Sequence, residues 1–158
     1  MSSTPNAKAD IVPYTKDYSA TVRQWIDSAE VLRDVCRGKN FPPPQDIVDT
    51  WQRKEVSSYL LMASGKPVAY AELWNRANEL AVEVAHLLVE PSKRGQGYGA
   101  RMAQLLFEQG AARAEVAKVL AYLYSENPAA LGCLLKAGFE LAGTTTYTQG
   151  LRIIRIVT

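Results

Sequence analysis

A chain of 158 residues, 47% apolar and 22% charged, can bury one full core without disulfide or metal support, and its composition excludes disordered and fibrous classes. Eighteen Lys and Arg against sixteen Asp and Glu leave a charge of +2, too little to hold nucleic acid or an anionic membrane by electrostatics alone, so neither is expected as a partner. Two cysteines without CxxC spacing and a single histidine, His86, argue against a metal site or a disulfide framework.

The first ten residues are polar, without the apolar stretch of a signal peptide, and no apolar run approaches a membrane span, so a cytoplasmic protein with reduced thiols is expected. Residues 1–9 read as a disordered tail and residues 10–158 as one domain. Residues 11–14 suit a short strand, and Val22, Trp25, Ile26, Ala29 and Leu32 recur at helical spacing, which predicts one amphipathic first helix. Gly38 and three successive prolines, Pro42 to Pro44, then break the chain, and Ile47, Val48 and Trp51 suggest a short second helix. The loop between these helices is placed to overhang a pocket.

Residues 59–63 and 68–74 flank the turn Gly65-Lys66-Pro67 and read as a hairpin, with a third strand over residues 80–89. Apolar residues from 97 to 114 return to helical period, and residues 116–124 switch back to a β-rich run, which makes a strand, helix, strand crossover. Asn127-Pro128 opens a further helix with an N-cap and a proline at the first helical position, and Gly138 closes it. Strands over residues 139–147 and 151–157 follow, meeting at a turn near Gly150. The order is βααβββαβαββ, an α/β fold on a mixed sheet.

The chemistry concentrates where the third long strand ends: Val89-Glu90-Pro91-Ser92-Lys93-Arg94-Gly95-Gln96-Gly97-Tyr98-Gly99 runs straight into a helix. Glycines at 95, 97 and 99 let backbone approach a ligand closely, and the helix start adds its positive dipole end, an arrangement that suits a pyrophosphate. No Gly-Lys-Ser/Thr ends the loop and its spacing is not the dinucleotide one, which disfavours nucleotide triphosphatases and dehydrogenases. The same glycines also serve a plain tight turn from strand to helix.

The segment resembles the acetyl-CoA signature of the GNAT N-acetyltransferases, Q/R-x-x-G-x-G/A, through Arg94, Gly97 and Gly99, preceded by V-x-P at Val89 and Pro91. Asn127, Ala130, Lys136, Gly138 and Phe139 are similar to the family's later motif, N-x-x-A followed by a helix that ends in G-F. The resemblance implies a three-layer α/β/α domain that uses acetyl-CoA to acetylate a primary amine of a small molecule or peptide. It implies that the fourth strand splays from the fifth, so that Leu87, Leu88 and Val89 pair with the pantetheine arm like an added strand. The pyrophosphate would lie on Arg94, Gly95, Gln96, Gly97, Tyr98, Gly99 and Ala100, with Asn127 touching the cofactor further along as well as capping its helix.

Acetyl transfer needs a neutral amine, so a group must accept a proton, and another can protonate the departing thiolate. Glu83, six residues before Val89, matches the catalytic glutamate of histone-type members, or is a cross-strand carboxylate; His86 is a second proton carrier, or a structural residue. At Leu134 the chain departs from relatives that place a proton-donating tyrosine there; Tyr124, Tyr122 or Cys133 replaces it, or the thiolate leaves unaided or takes its proton from water. Trp25, Phe41, Trp51 and Trp74 line an acceptor pocket or belong to the core. Loss of the tyrosine keeps a non-catalytic acyl-CoA sensor as the alternative, and the family's habits make a homodimer an expectation.

Overall fold

The computed structural model describes residues 8–124, 127–145 and 150–158. Residues 1–7 of the tail expected over residues 1–9, and the end of the penultimate strand with Tyr147 and its turn, lie outside the described residues. Ala9, expected in the tail, is buried with no exposure, and its carbonyl accepts from Arg101 Nε at 3.1 Å, so packing begins earlier than the sequence suggests.

A seven-stranded sheet runs in the order β1-β2-β3-β4-β5-β7-β6. Its strands are β1 (Asp10–Pro13), β2 (Val56–Ala63), β3 (Lys66–Arg76), β4 (Ala81–Val89), β5 (Lys118–Tyr124), β6 (Glu140–Thr145) and β7 (Gly150–Ile156). The helices are α1 (Ser19–Gln24), α2 (Ala29–Cys36), α3 (Ile47–Thr50), α4 (Tyr98–Ala111) and α5 (Pro128–Lys136). The expected order therefore holds with one change: the first helix is two. Ser28 breaks it, adopting extended backbone and accepting from Val31 N–H at 3.1 Å as the N-cap of α2. Trp25 and Ile26 remain buried in the connecting turn, which is why their spacing imitates one continuous helix.

The β2–β3 hairpin turns on Ser64 and Gly65, both left-handed at φ 52 and 78, rather than on Gly65 to Pro67, because two positive-φ residues match the twist of the strands. Strands β4 and β5 form a parallel pair joined by α4, the crossover unit that the sequence predicts, and β7 lies between β5 and β6.

Two apolar clusters cover opposite faces of the sheet. Met102, Ala103 and Leu106 of α4 and Leu134 of α5 pack with Leu61, Leu73, Val82, Val84 and Val119; Val22, Leu32 and Val48 of α1, α2 and α3 pack with Leu60, Tyr70 and Leu88. Each fully buried Leu or Met contributes about 1.5–3 kcal/mol relative to exposure. Neighbouring Leu60 and Leu61 fall in different clusters, as period-two alternation demands. In β4 the alternation slips: Val82 and Val84 face α4, whereas Leu88 faces the other layer. The pairing register with β3 shifts between Tyr70 and Glu72, and His86 is left-handed at φ 51, so a bulge in β4 reverses the faces. No helix among the described residues is long and apolar enough to cross a membrane.

Candidate active site

The β4–β5 ladder pairs only Ala81–Lys118, Val82–Val119 and Glu83–Leu120, after which β5 continues against β7 alone. Beyond Glu83 the two central strands part, and a cleft opens between them. It has two chambers that share Asp34, Val35, Leu87, Asn127 and Ala130 in their walls and so adjoin one another.

The larger chamber, about 510 Å³, lies between β4 and the starts of α4 and α5. Leu87, Leu88, Val89, Arg94, Gly95, Gly97, Tyr98, Gly99, Ala100 and Asn127 line it, so ten of the eleven residues expected to contact a cofactor surround one cavity. The loop that enters it is shaped locally: Glu90 accepts from Ser92 N–H and Oγ, closing a single turn of 3-10 helix over Pro91–Lys93. Gly95 and Gly97 then take φ 77 and 91, a region that a side chain makes costly. Gly97 is the N-cap of α4 and offers no side chain to its first-turn N–H groups, which leaves orphan donors and a positive dipole end at the chamber wall. That chemistry fits a pyrophosphate.

Three expected residues play parts that the sequence does not disclose. Gln96 turns its amide back to the Ser92 carbonyl at 3.0 Å and does not line the chamber. Arg94 spends its guanidinium on the Trp25 carbonyl at 2.8 Å and Asp27 at 3.2 Å, tying the loop to the α1–α2 connection. Gly99 is required by α5: a Cβ there would stand 2.5 Å from Cys133 Sγ. Asn127 caps α5, its Oδ1 accepting from Ala130 N–H at 3.2 Å.

The smaller chamber, about 220 Å³, holds Glu83, His86, Tyr122 and Tyr124, so both expected catalytic residues, Glu83 and Tyr124, reach one cavity. Glu83 is 6% exposed and accepts from Arg76 Nη2 at 2.5 Å and Nε at 2.9 Å. Burial pushes its carboxyl above the ordinary carboxylate value, against the opposing pull of Arg76. Arg37, at the left-handed C-cap of α2, lays its guanidinium 4.6 Å over the Tyr124 ring, so the end of α2 reaches the β5 side of the cleft. Leu134 is buried in the wall, and burial raises the Cys133 thiol, which keeps it protonated and apolar. Of the tryptophans, Trp74 lines the chamber, whereas Trp25 and Trp51 belong to the core.

Sequence reasoning missed Glu72. It is fully buried on β3 and accepts from the Tyr70 hydroxyl and from Trp74 Nε1 at 2.7 Å, and His86 Nδ1 lies 3.0 Å from its Oε1. The available signal was a lone carboxylate inside the apolar run from Val68 to Trp74, where a charge must be paired. Among the described residues no group of His, Cys, Asp or Glu is arranged to hold a metal.

Known proteins share this architecture. The Acetyltransferase (GNAT) family model matches residues 22–139, from α1 to the residue before β6. The chain is similar to aminoglycoside N(6')-acetyltransferase type 1 of Klebsiella pneumoniae, 28% identical over 155 residues that cover 88% of this chain and 77% of the relative. A stretch of 76 residues, 48% of this chain and 24% of the relative, is 37% identical to mycothiol acetyltransferase of Amycolatopsis mediterranei. An aminoglycoside acetyltransferase solved in complex with coenzyme A and kanamycin shares the fold at a TM-score of 0.79 and 21% identity, over 94% of this chain and 95% of that one. Spermidine N-acetyltransferase from Vibrio cholerae, solved with CoA and spermine, does so at a TM-score of 0.77 and 10% identity, over 96% of both chains. With the family matched from α1 through both glycine-bearing motifs, the chain belongs to the acetyltransferase (GNAT) family and is an acetyl-CoA-dependent N-acetyltransferase.

Proposed function

We propose that the protein transfers the acetyl group of acetyl-CoA to a primary amine of a small molecule, by direct attack with both substrates bound. The observation that carries this reading is the junction of the two chambers where β4 and β5 part. One chamber ends on an uncapped helix start between left-handed glycines, and the other carries proton-accepting side chains.

Acetyl-CoA supplies an activated thioester. In the larger chamber the parted edge of β4 at Leu87 to Val89 offers backbone groups to the pantetheine arm, and the N–H groups of the Gly97 loop face the pyrophosphate. The amine then sits in the smaller chamber beside Glu83 and His86, with Tyr124 placed to return a proton to the thiolate. Holding amine and thioester together supplies much of the rate. A small-molecule acceptor is favoured by the relatives, whose names specify aminoglycosides, mycothiol and spermidine.

Buried Leu134, where relatives place a tyrosine, favours a second reading as an acyl-CoA sensor without turnover. Thiol release separates the two. Purified protein with acetyl-CoA and a panel of aminoglycosides, polyamines, amino acids and peptides is expected to release CoA thiol in an amine-dependent manner. Binding of acetyl-CoA without release by any amine would instead establish the sensor.

A further inference from the structure

Glu72, buried on β3 behind the cleft wall, is a carboxylate that the reaction scheme above does not use, and its partners constrain a group that does line the cleft. An ionised carboxylate only accepts hydrogen bonds, and an indole only donates. Trp74 Nε1 and His86 Nδ1 both meet Glu72 Oε1, at 2.7 and 3.0 Å, while the Tyr70 hydroxyl meets Oε2. All three partners are satisfied when Glu72 is ionised and His86 carries its neutral-state proton on Nδ1. The Nε2 lone pair is then the nitrogen left to accept a proton.

The ring is held as well as oriented. Trp51 stacks on it at 4.1 Å and Trp74 meets it edge-on at 5.4 Å, and the side chain is 11% exposed in the wall of the smaller chamber. Its backbone is left-handed at the β4 bulge, a conformation costly for a residue with a side chain, which persists only where the surroundings enforce it. The bulge therefore turns the imidazole between the aromatic pair and the buried carboxylate.

Building on the acetyltransferase reading, we propose that His86 is the proton acceptor of the transfer and that Glu72 is its positioning residue, with the Glu83–Arg76 pair beside it holding the acceptor. The acceptor ammonium gives one proton to His86 Nε2, and Glu72 balances the imidazolium. The neutral amine nitrogen bonds to the thioester carbonyl carbon, the C–S bond breaks, and the remaining surplus N–H proton ends on the thiol by way of Tyr124 or solvent. His86 releases its proton to solvent. The charged and titratable groups that line the chamber with the ring or bond its partner are Tyr70, Glu72 and Arg76 from β3, Glu83 from β4, Asp34, Cys36 and Arg37 at the end of α2, and Tyr122 and Tyr124 from β5; the C-cap of α3 contributes the uncharged Trp51.

His86 is the only histidine in the chain, so nitrogen-15 NMR follows one imidazole without reference to activity. The neutral ring is expected to carry its proton on Nδ1, and its titration midpoint to coincide with the acid limb of kcat/KM. His86→Gln, whose amide still donates to Glu72, is expected to lower kcat by on the order of 100-fold or more and abolish that limb, with acetyl-CoA affinity unchanged. Glu72→Gln keeps an acceptor for Nδ1 but removes the charge, so the imidazole midpoint and the limb move together to lower pH. A neutral ring protonated on Nε2, or an acid limb that survives in His86→Gln, overturns the proposal. A wild-type protein that releases no thiol with any amine overturns the function itself, while the NMR spectrum still reports separately whether the Glu72–His86 pair exists.

Discussion

Replacing Gly99 by alanine adds one methyl group at a point where α4 touches α5, 2.5 Å from Cys133 Sγ and 3.4 Å from Val89 Cγ2. The sulfur must rotate or the helices must separate, and such overpacking costs about 1–3 kcal/mol. Alanine in place of glycine in a helix returns up to about 1 kcal/mol. The net loss of about 1–2 kcal/mol lowers Tm by about 2–8 °C in a domain of this length. Cys133→Ala removes the obstructing atom, so in that background Gly99→Ala becomes neutral or stabilising. The two substitutions then couple by about 1–3 kcal/mol in a double-mutant cycle followed by thermal or urea unfolding. Equal destabilisation by Gly99→Ala in both backgrounds would refute the contact and return Gly99 to a purely ligand-facing role.

Two other substitutions separate roles within the cleft and the scaffold. Glu83→Gln should raise KM for the amine while preserving the acid limb of kcat/KM. Because burial raises the Glu83 pKa, its carboxyl stabilises the fold at pH below its unfolded value, and this contribution is lost as pH rises through the folded value. The Tm advantage of wild type over Glu83→Gln should therefore shrink from acid towards neutral pH. Ser28→Ala removes the α2 N-cap, at a cost of about 1 kcal/mol, with a Tm fall of about 2–4 °C and no change in acetyl-CoA affinity.

The glycine loop was legible because its signal is local: a strand end, left-handed glycines and a helix start are adjacent in the chain, and their residue types state the backbone they need. The N-cap role of Asn127 was legible for the same reason. Splitting of the first helix was not, since Trp25 and Ile26 stay buried through the break and preserve the helical period. That Arg94 also ties its loop to Trp25 and Asp27 was not legible, because those partners lie on a distant stretch of chain that folding alone brings near. The Glu72–His86 pair was hidden twice over: it spans two strands, and the bulge at His86 changes which side of the sheet each β4 residue faces.

The most direct test of the account is a calorimetric titration of acetyl-CoA into the wild-type protein and into Gly97→Val, whose side chain is incompatible with φ 91 at the start of α4. Micromolar binding by wild type, weakened about 10-fold or more in the folded variant, is the predicted result. Absence of acetyl-CoA binding by wild type, or equal affinity in a folded Gly97→Val, would contradict the assignment of the larger chamber.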